Sequence, residues 1–280
     1  MLGWKLFMRA ARLLADNVLV ALRVSALPYA VIVAVTFWFQ GRYGDAFASL
    51  AGAGGTGAPA DAEALAAAMP PGLAFALFLN LAVTALGGVW IAVGWHRFVL
   101  RGEEPPGWVP AFHGGIVLRY LGWSVLVGLM VALIVAAAFT MSSVLLLPLF
   151  GPAAGAVVAA VAIFVAAIFF YRLGIVLPAR AVDEGMGFNA ALVATRGHSR
   201  TCVTLAFVTA TFWLLLQLPP LLDAGAAGGA AGDAAAGTGL GRPGPVGTLY
   251  ALVIQWIELL LVTGTLTALY GHLVEGRPVE

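Results

Sequence analysis

The composition of this 280-residue chain is incompatible with a water-soluble globule. Hydrophobic residues make up 62% of it and charged residues 10%, against roughly 45–50% and about 25% in soluble domains. The net charge of +1 argues against nucleic acid as a partner, because a phosphate backbone is bound by a concentrated basic face. The single cysteine, Cys202, cannot form an intrachain disulfide, and we interpret it as a small apolar core residue.

Residues 2–22 carry a periodic polar pattern in an otherwise apolar segment. Polar residues at helical spacing predict an amphipathic helix over residues 1–23 that lies in the membrane plane, with its basic side toward anionic headgroups. The alternative is a plain cytoplasmic extension of the first span. The residues that form the polar stripe are Lys5, Arg9, Arg12, Asp16 and Arg23.

Six apolar segments follow, and each is close to the roughly 20 residues that a helix needs to cross a hydrocarbon core about 30 Å thick. They predict an all-α polytopic membrane protein with six transmembrane helices in three antiparallel hairpins. Residues 24–280 would then form a single transmembrane domain. The predicted spans are about 24–40, 73–95, 120–147, 153–177, 201–222 and 248–270.

The basic residues are distributed unequally between the two ends of these spans. Of the 14 Lys and Arg residues, all but Arg42 and Arg242 flank the N-terminus, the second and fourth connections or the C-terminus. The positive-inside rule places the side richer in Lys and Arg in the cytoplasm. The sequence therefore predicts a multi-pass protein of a bacterial inner membrane with both termini cytoplasmic.

The connections have distinct compositions. The outer connections 41–72 and 223–247 are rich in Gly and Ala, which predicts flexible loops, with one short helix at about 62–69 capped by Asp61. Between spans three and four, the Pro-bracketed segment 148–152 predicts a tight turn. In the fourth connection, residues 188–196 predict a short helix that ends at Gly197 in a left-handed conformation.

No enzymatic motif occurs in a suitable context, so we predict neither enzymatic activity nor a cofactor. The string at 52–57 (GAGGTG) resembles a dinucleotide fingerprint, but that motif requires a preceding strand. All four histidines fall on the predicted cytoplasmic side with several carboxylates, which leaves a metal or pH-sensitive cluster as an alternative. Because histidine is ordinary at a membrane interface, we predict no metal site. The histidines are His96, His113, His198 and His272.

Small residues recur at four-residue spacing in three spans, as in Gly128 with Ala132, Gly151 with Gly155, and Gly264 with Ala268. Such rows allow helix backbones to approach closely. They predict tight packing within the chain, with a homo-oligomer as the alternative.

Glu258 lies near the middle of the sixth span, where a carboxylate is costly unless it faces protein or water. The sequence predicts that it points into the bundle, whose inner half is otherwise almost purely apolar. The functional interpretation is a hydrated pocket that opens outward, with Glu258 as a proton or cation site. The alternative is a protonated, hydrogen-bonded Glu that serves packing. The predicted polar site comprises Glu258, Gln255, Asn80, Gln217, Thr211 and Ser142.

Two runs, 171–179 (YRLGIVLPA) and 190–197 (AALVATRG), resemble a pattern in uncharacterised bacterial six-helix inner-membrane proteins. One relative is the membrane domain attached to some glycerophosphodiester phosphodiesterases. The helix ends 95–98 (WHRF) and 270–273 (YGHL) also resemble hypothetical membrane proteins of alphaproteobacteria. The resemblance implies a fold and an inner-membrane location, and it implies no activity.

The functional prediction is a non-enzymatic accessory, assembly or lipid-organising factor. Its partners would be membrane lipids and another membrane or cytoplasmic protein. The alternative is a transporter or permease for a small or lipidic substrate, which requires a polar path through the bundle. The predicted cytoplasmic interaction surface comprises Lys5, Arg9, Arg12, Arg180 and Arg196.

Overall fold

A computed structural model describes residues 1–55, 69–227 and 245–278, and these residues form helices without a strand. Short 3-10 turns at Gly151–Ala154 and Arg196–His198 join consecutive helices. The helices are α1 (Leu2–Asp16), α2 (Val18–Gly55), α3 (Leu73–Arg101), α4 (Gly114–Phe150), α5 (Gly155–Gly174), α6 (Val176–Ala181), α7 (Phe188–Thr195), α8 (Ser199–Ala227) and α9 (Pro245–Leu273).

Six helical stretches of the described chain are long and apolar enough to cross a membrane, which confirms the prediction of an all-α polytopic membrane protein. Each includes most of one predicted span, and most extend further at one or both ends. These stretches are Val18–Ala46, Leu73–Arg101, Gly114–Phe150, Val157–Ala181, Phe188–Leu216 and Gly247–Leu273.

The first and fifth predicted spans end earlier than the helices that contain them. Helix α2 continues to Gly55 and α8 to Ala227, so parts of the predicted loops 41–72 and 223–247 are helical. Alanine is the strongest helix former, and extending an existing helix avoids the cost of a new nucleus. The predicted helix at 62–69 lies outside the described residues.

Two local predictions about turns need correction. Pro148 lies inside the last turn of α4, and the chain turns only at Gly151, which has φ +64°. Gly197 does not cap a helix in a left-handed conformation, because it lies in the 3-10 turn that leads directly into α8. A left-handed residue is useful where a helix must stop and the chain must turn away. Here α7 forms as predicted, and the chain continues in helical turns beyond it.

Pro178 divides the fourth apolar stretch. Proline lacks an amide proton and clashes with the carbonyl group four residues earlier, which here belongs to Gly174. Helix α5 ends at that residue, and α6 begins at Val176. The break brings the buried residues of α6 against α3 and α4.

Helix α1 packs against α8 and α9. A Cβ atom at Gly3 would lie 2.8 Å from the Thr201 carbonyl oxygen of α8, and one at Gly264 of α9 would lie 3.5 Å from Ala10 Cβ. Helices α8 and α9 contact each other only weakly, and both contact α1 extensively. The third predicted hairpin therefore holds α1 between its two helices.

One face of α1 is buried against protein, and it contains Gly3, Leu6, Phe7, Ala10 and Leu14. Lys5, Arg12 and Asp16 are exposed on the other face. The helix ends at Asp16, so Arg23 belongs to α2 and not to the polar stripe of α1. The position of α1 relative to the membrane plane stays a prediction.

Candidate functional site

A cavity of about 440 Å³ lies between α1, α3, α4, α8, α9 and the α5–α6 segment. Its walls are mostly aliphatic and aromatic. Ligand pockets in proteins measure roughly 300–1,000 Å³ and are largely apolar with a few polar groups. The size and the lining of this cavity are therefore those of a ligand pocket. The apolar walls include Phe7, Val89, Phe170, Leu177, Phe212 and Leu266.

Three polar residues of α9 reach the cavity wall, namely Gln255, Glu258 and Thr263. Gln255 and Glu258 are three residues apart, which puts them on one face of the helix, and both line the cavity. The Oε1 atom of Glu258 is buried and has no hydrogen-bond partner. An unpaired buried acceptor costs about 1–3 kcal/mol. The cavity is therefore where a ligand or water would satisfy this carboxyl group.

The other residues of the predicted polar site lie elsewhere. The Asn80 side-chain oxygen accepts a 3.2 Å hydrogen bond from Thr36 between α2 and α3. Thr211 faces a separate groove between α1 and α8, and Ser142 is half-buried on α4 but does not line the cavity. The side chain of Gln217 lies outside the described residues. Spacing along a helix gives the depth of a residue, whereas the direction of its side chain depends on how the helix is rotated in the bundle.

A buried polar chain lies where α3, α4 and α9 meet. His96 is fully buried. Its Nδ1 atom lies 2.7 Å from Thr267 Oγ1, and its Nε2 atom lies 3.0 Å from the Tyr120 hydroxyl oxygen. Tyr120 itself lines the cavity. The sequence did not predict that His96 is buried and hydrogen-bonded on both ring nitrogens. Its burial depends on how α3, α4 and α9 pack together, which the sequence pattern does not reveal.

A charged cluster closes the end of the bundle where α3 ends. Arg97 donates two 2.7 Å hydrogen bonds to the carboxylate of Glu103. It also donates to the Ala181 carbonyl oxygen at 3.0 Å and to Asp183 at 3.4 Å. Arg119 forms a second ion pair with Asp183. Arg97 thus connects the end of α3 to the segment that follows α6.

Two left-handed residues shape this cluster. Gly102 has φ +67°, a conformation that glycine adopts without strain, and it ends α3 so that Glu103 turns back onto Arg97. Asp183 has φ +62°. Aspartate is among the few other residues that tolerate this region, and here its carboxylate is held by Arg97 and Arg119.

The residues of the predicted interaction surface have different environments. Lys5, Arg12 and Arg196 are exposed, whereas Arg9 donates a hydrogen bond to the Pro278 carbonyl oxygen. Arg180 is not free, because its guanidinium lies 4.3 Å from the centre of the Trp123 ring and donates to the Met186 carbonyl oxygen at 2.7 Å. Within residues 1–55, 69–227 and 245–278, no three His, Cys, Asp or Glu residues are grouped to hold a metal ion.

A second groove of about 660 Å³ lies between α1 and α8. Trp4 and Phe207 on its walls are 50% and 63% exposed, so the groove is open to the surroundings of the bundle. Phe7 and Phe212 line both this groove and the cavity. Their rings pack edge to face with centroids 5.5 Å apart, so the two spaces share part of one wall.

Fold and cavity define a polytopic α-helical membrane protein with a mostly apolar pocket between its helices. Searches among protein families, curated proteins and solved structures find no match for the chain. The resemblance to bacterial six-helix inner-membrane proteins stays a prediction.

Proposed function

We propose that the protein binds an amphiphilic molecule of the membrane in the cavity between its helices and acts as a non-enzymatic accessory or lipid-organising factor. The observation that carries this proposal is the 440 Å³ cavity with largely apolar walls and a single carboxyl group. Apolar walls gain free energy when they cover hydrocarbon chains, and membrane lipids are the most abundant amphiphiles available to such a chain.

The second groove supplies a route for such a molecule. It is lined by exposed apolar residues of α1 and α8, and it shares Phe7 and Phe212 with the cavity. Because the two rings contact each other edge to face, a change of rotamer at either residue would alter the contact between the groove and the cavity.

We further propose that the protein resides in a bacterial inner membrane with both termini in the cytoplasm. The unequal distribution of Lys and Arg supports this orientation. In this orientation Lys5, Arg12 and Arg196 form an exposed basic surface near the inner leaflet, where anionic lipids or a partner protein would contact it.

The test fills the cavity with a side chain. Gly88 lines the cavity, and a Cβ atom there would meet no other atom within 4 Å, so Gly88→Phe places a ring in the cavity without a backbone clash. Gly128 on α4 is exposed and equally open but does not line the cavity, so Gly128→Phe is the matched control.

The measurement is the amount of lipid that stays bound to the purified protein after extensive washing in detergent, determined by mass spectrometry. We expect Gly88→Phe to retain roughly tenfold less than the parent, equivalent to about 1.4 kcal/mol of binding, and Gly128→Phe to retain the parental amount. Equal retention by both variants would show that the cavity is not the binding site.

A transporter is the second candidate, and the polar chain of Tyr120, His96 and Thr267 favours it. The chain connects the cavity wall to the inner end of the bundle, and transport requires a polar path of this kind. Proteoliposomes distinguish the two functions. A transporter moves the bound amphiphile between leaflets faster than empty liposomes do, whereas a binding factor leaves that rate unchanged.

A further inference from the structure

The threonine hydroxyl protons at the cavity wall are already used. Thr209 donates to the Leu205 carbonyl oxygen at 2.7 Å, and Thr263 donates to the Leu259 carbonyl oxygen at 2.7 Å. A hydroxyl group has one proton and two lone pairs. Both threonines line the cavity, so they can offer it only lone pairs.

The proton of the Tyr120 hydroxyl is used as well, and the network around His96 shows why. Thr267 donates its only proton to the Thr263 carbonyl oxygen at 2.8 Å, so its oxygen must accept the bond from His96 Nδ1. A neutral imidazole carries one N–H group and one lone pair. The lone pair is then on Nε2, and Tyr120 donates to it.

The remaining polar groups of the cavity include a carboxyl group with an open acceptor. Glu258 Oε1 has no partner, and an ionised carboxylate accepts hydrogen bonds but cannot donate them. Gln255, one turn away, has both a carbonyl oxygen and an amide donor. Besides the Gln255 amide, the indole N–H of Trp213 is the other donor of the cavity wall, so the wall presents more acceptors than donors, together with one potential negative charge.

We propose that the cavity selects a primary-ammonium amphiphile, a molecule with an aliphatic chain and an R–NH₃⁺ headgroup. This inference rests on the ligand-binding function proposed above. An ammonium group has three donors and no acceptor, and its charge offsets that of Glu258. A carboxylate or phosphate headgroup would leave the acceptors of the wall unpaired and would place two negative charges together. The apolar walls hold the chain.

The test uses the whole protein in nanodiscs of neutral phosphatidylcholine at neutral pH, with empty nanodiscs as the background. Tritiated hexadecylamine is the probe, and hexadecyltrimethylammonium, hexadecanol and hexadecanoic acid are the competitors. We expect unlabelled hexadecylamine to compete at least about tenfold better than the trimethylammonium compound, which has the charge but no donor, because charge-assisted hydrogen bonds contribute about 1.5–3 kcal/mol. Hexadecanoic acid should compete least.

Variants locate the headgroup. Glu258→Gln keeps size and hydrogen bonding but cannot ionise, and it should weaken hexadecylamine binding at least about tenfold. Thr263→Val is nearly isosteric and removes one acceptor, so it should weaken binding severalfold even if Glu258→Gln fails to fold. Glu104→Gln replaces an exposed carboxylate and should bind as the parent does.

Each result decides between the two proposals. If some amphiphile binds in a way that Gly88→Phe abolishes, but hexadecylamine has no preference over hexadecanoic acid, the headgroup inference is wrong and the proposed function stands. Parental binding by a folded Glu258→Gln variant, or by Thr263→Val, overturns the inference in the same way. If no amphiphile binds in a manner sensitive to Gly88→Phe, the proposed function fails and the inference with it.

Discussion

Replacement of Arg97 by alanine should destabilise the fold by about 2–4 kcal/mol. The side chain is only 11% exposed, and it holds Glu103, Asp183 and the Ala181 carbonyl oxygen. Removing one partner of a fully buried ion pair costs about 3–5 kcal/mol. Here the carboxylates of Glu103 and Asp183 are 40% and 39% exposed, so water compensates part of the loss, and the expected cost is correspondingly smaller.

Unfolding of the purified protein by SDS in mixed micelles, followed by circular dichroism, measures this change. Arg119→Ala is the control, because Arg119 also pairs with Asp183 but is 46% exposed, and exposed pairs contribute about 0–1 kcal/mol. Arg97→Lys should be intermediate, since lysine keeps the charge but cannot form the bidentate pair with Glu103. If Arg97→Ala and Arg119→Ala unfold at the same SDS fraction, the central role of Arg97 in closing the bundle is refuted.

Three further predictions concern topology and α1. Alkaline phosphatase fused after about residue 60 or 235 should be active, and fused after about residue 110, 190 or 280 it should be inactive, because the predicted periplasmic side is poor in Lys and Arg. Activity of the fusion at residue 190 would contradict the six-span topology. A peptide of residues 2–22 should become more helical on anionic than on neutral vesicles, because each Lys or Arg near an anionic surface contributes about 1 kcal/mol of binding free energy. Equal helicity on both kinds of vesicle would show that electrostatic attraction does not drive the binding. Gly3→Val should destabilise the packing of α1 by about 1–3 kcal/mol, because its Cβ would lie 2.8 Å from the Thr201 carbonyl oxygen and from Thr204 Cβ. Limited proteolysis within α1 should therefore be faster in Gly3→Val than in the control variant Gly128→Val. An unchanged rate would show that this contact does not hold α1 in place.

The sequence alone determined the number and order of the spans. A helix in a hydrocarbon core must satisfy its backbone within itself and needs about 20 apolar residues. Both requirements are local, so they can be read from composition. The short helix α7 was predictable for a similar reason, whereas the ends of α2 and α8 were not, because Gly- and Ala-rich sequence suits both a helix and a loop.

Only the tertiary structure decided which side of each helix faces which neighbour. Glu258 and Gln255 share a cavity because they share one helix face, while Asn80 and Thr211 at neighbouring depths face other partners. The insertion of α1 between α8 and α9 is likewise decided by the fit of Gly3 and Gly264 to their neighbours. In lipid, apolar periodicity does not separate a protein-facing side from a lipid-facing side, because both are apolar. Close packing and hydrogen bonding between distant segments make that distinction, and they exist only once the helices have assembled.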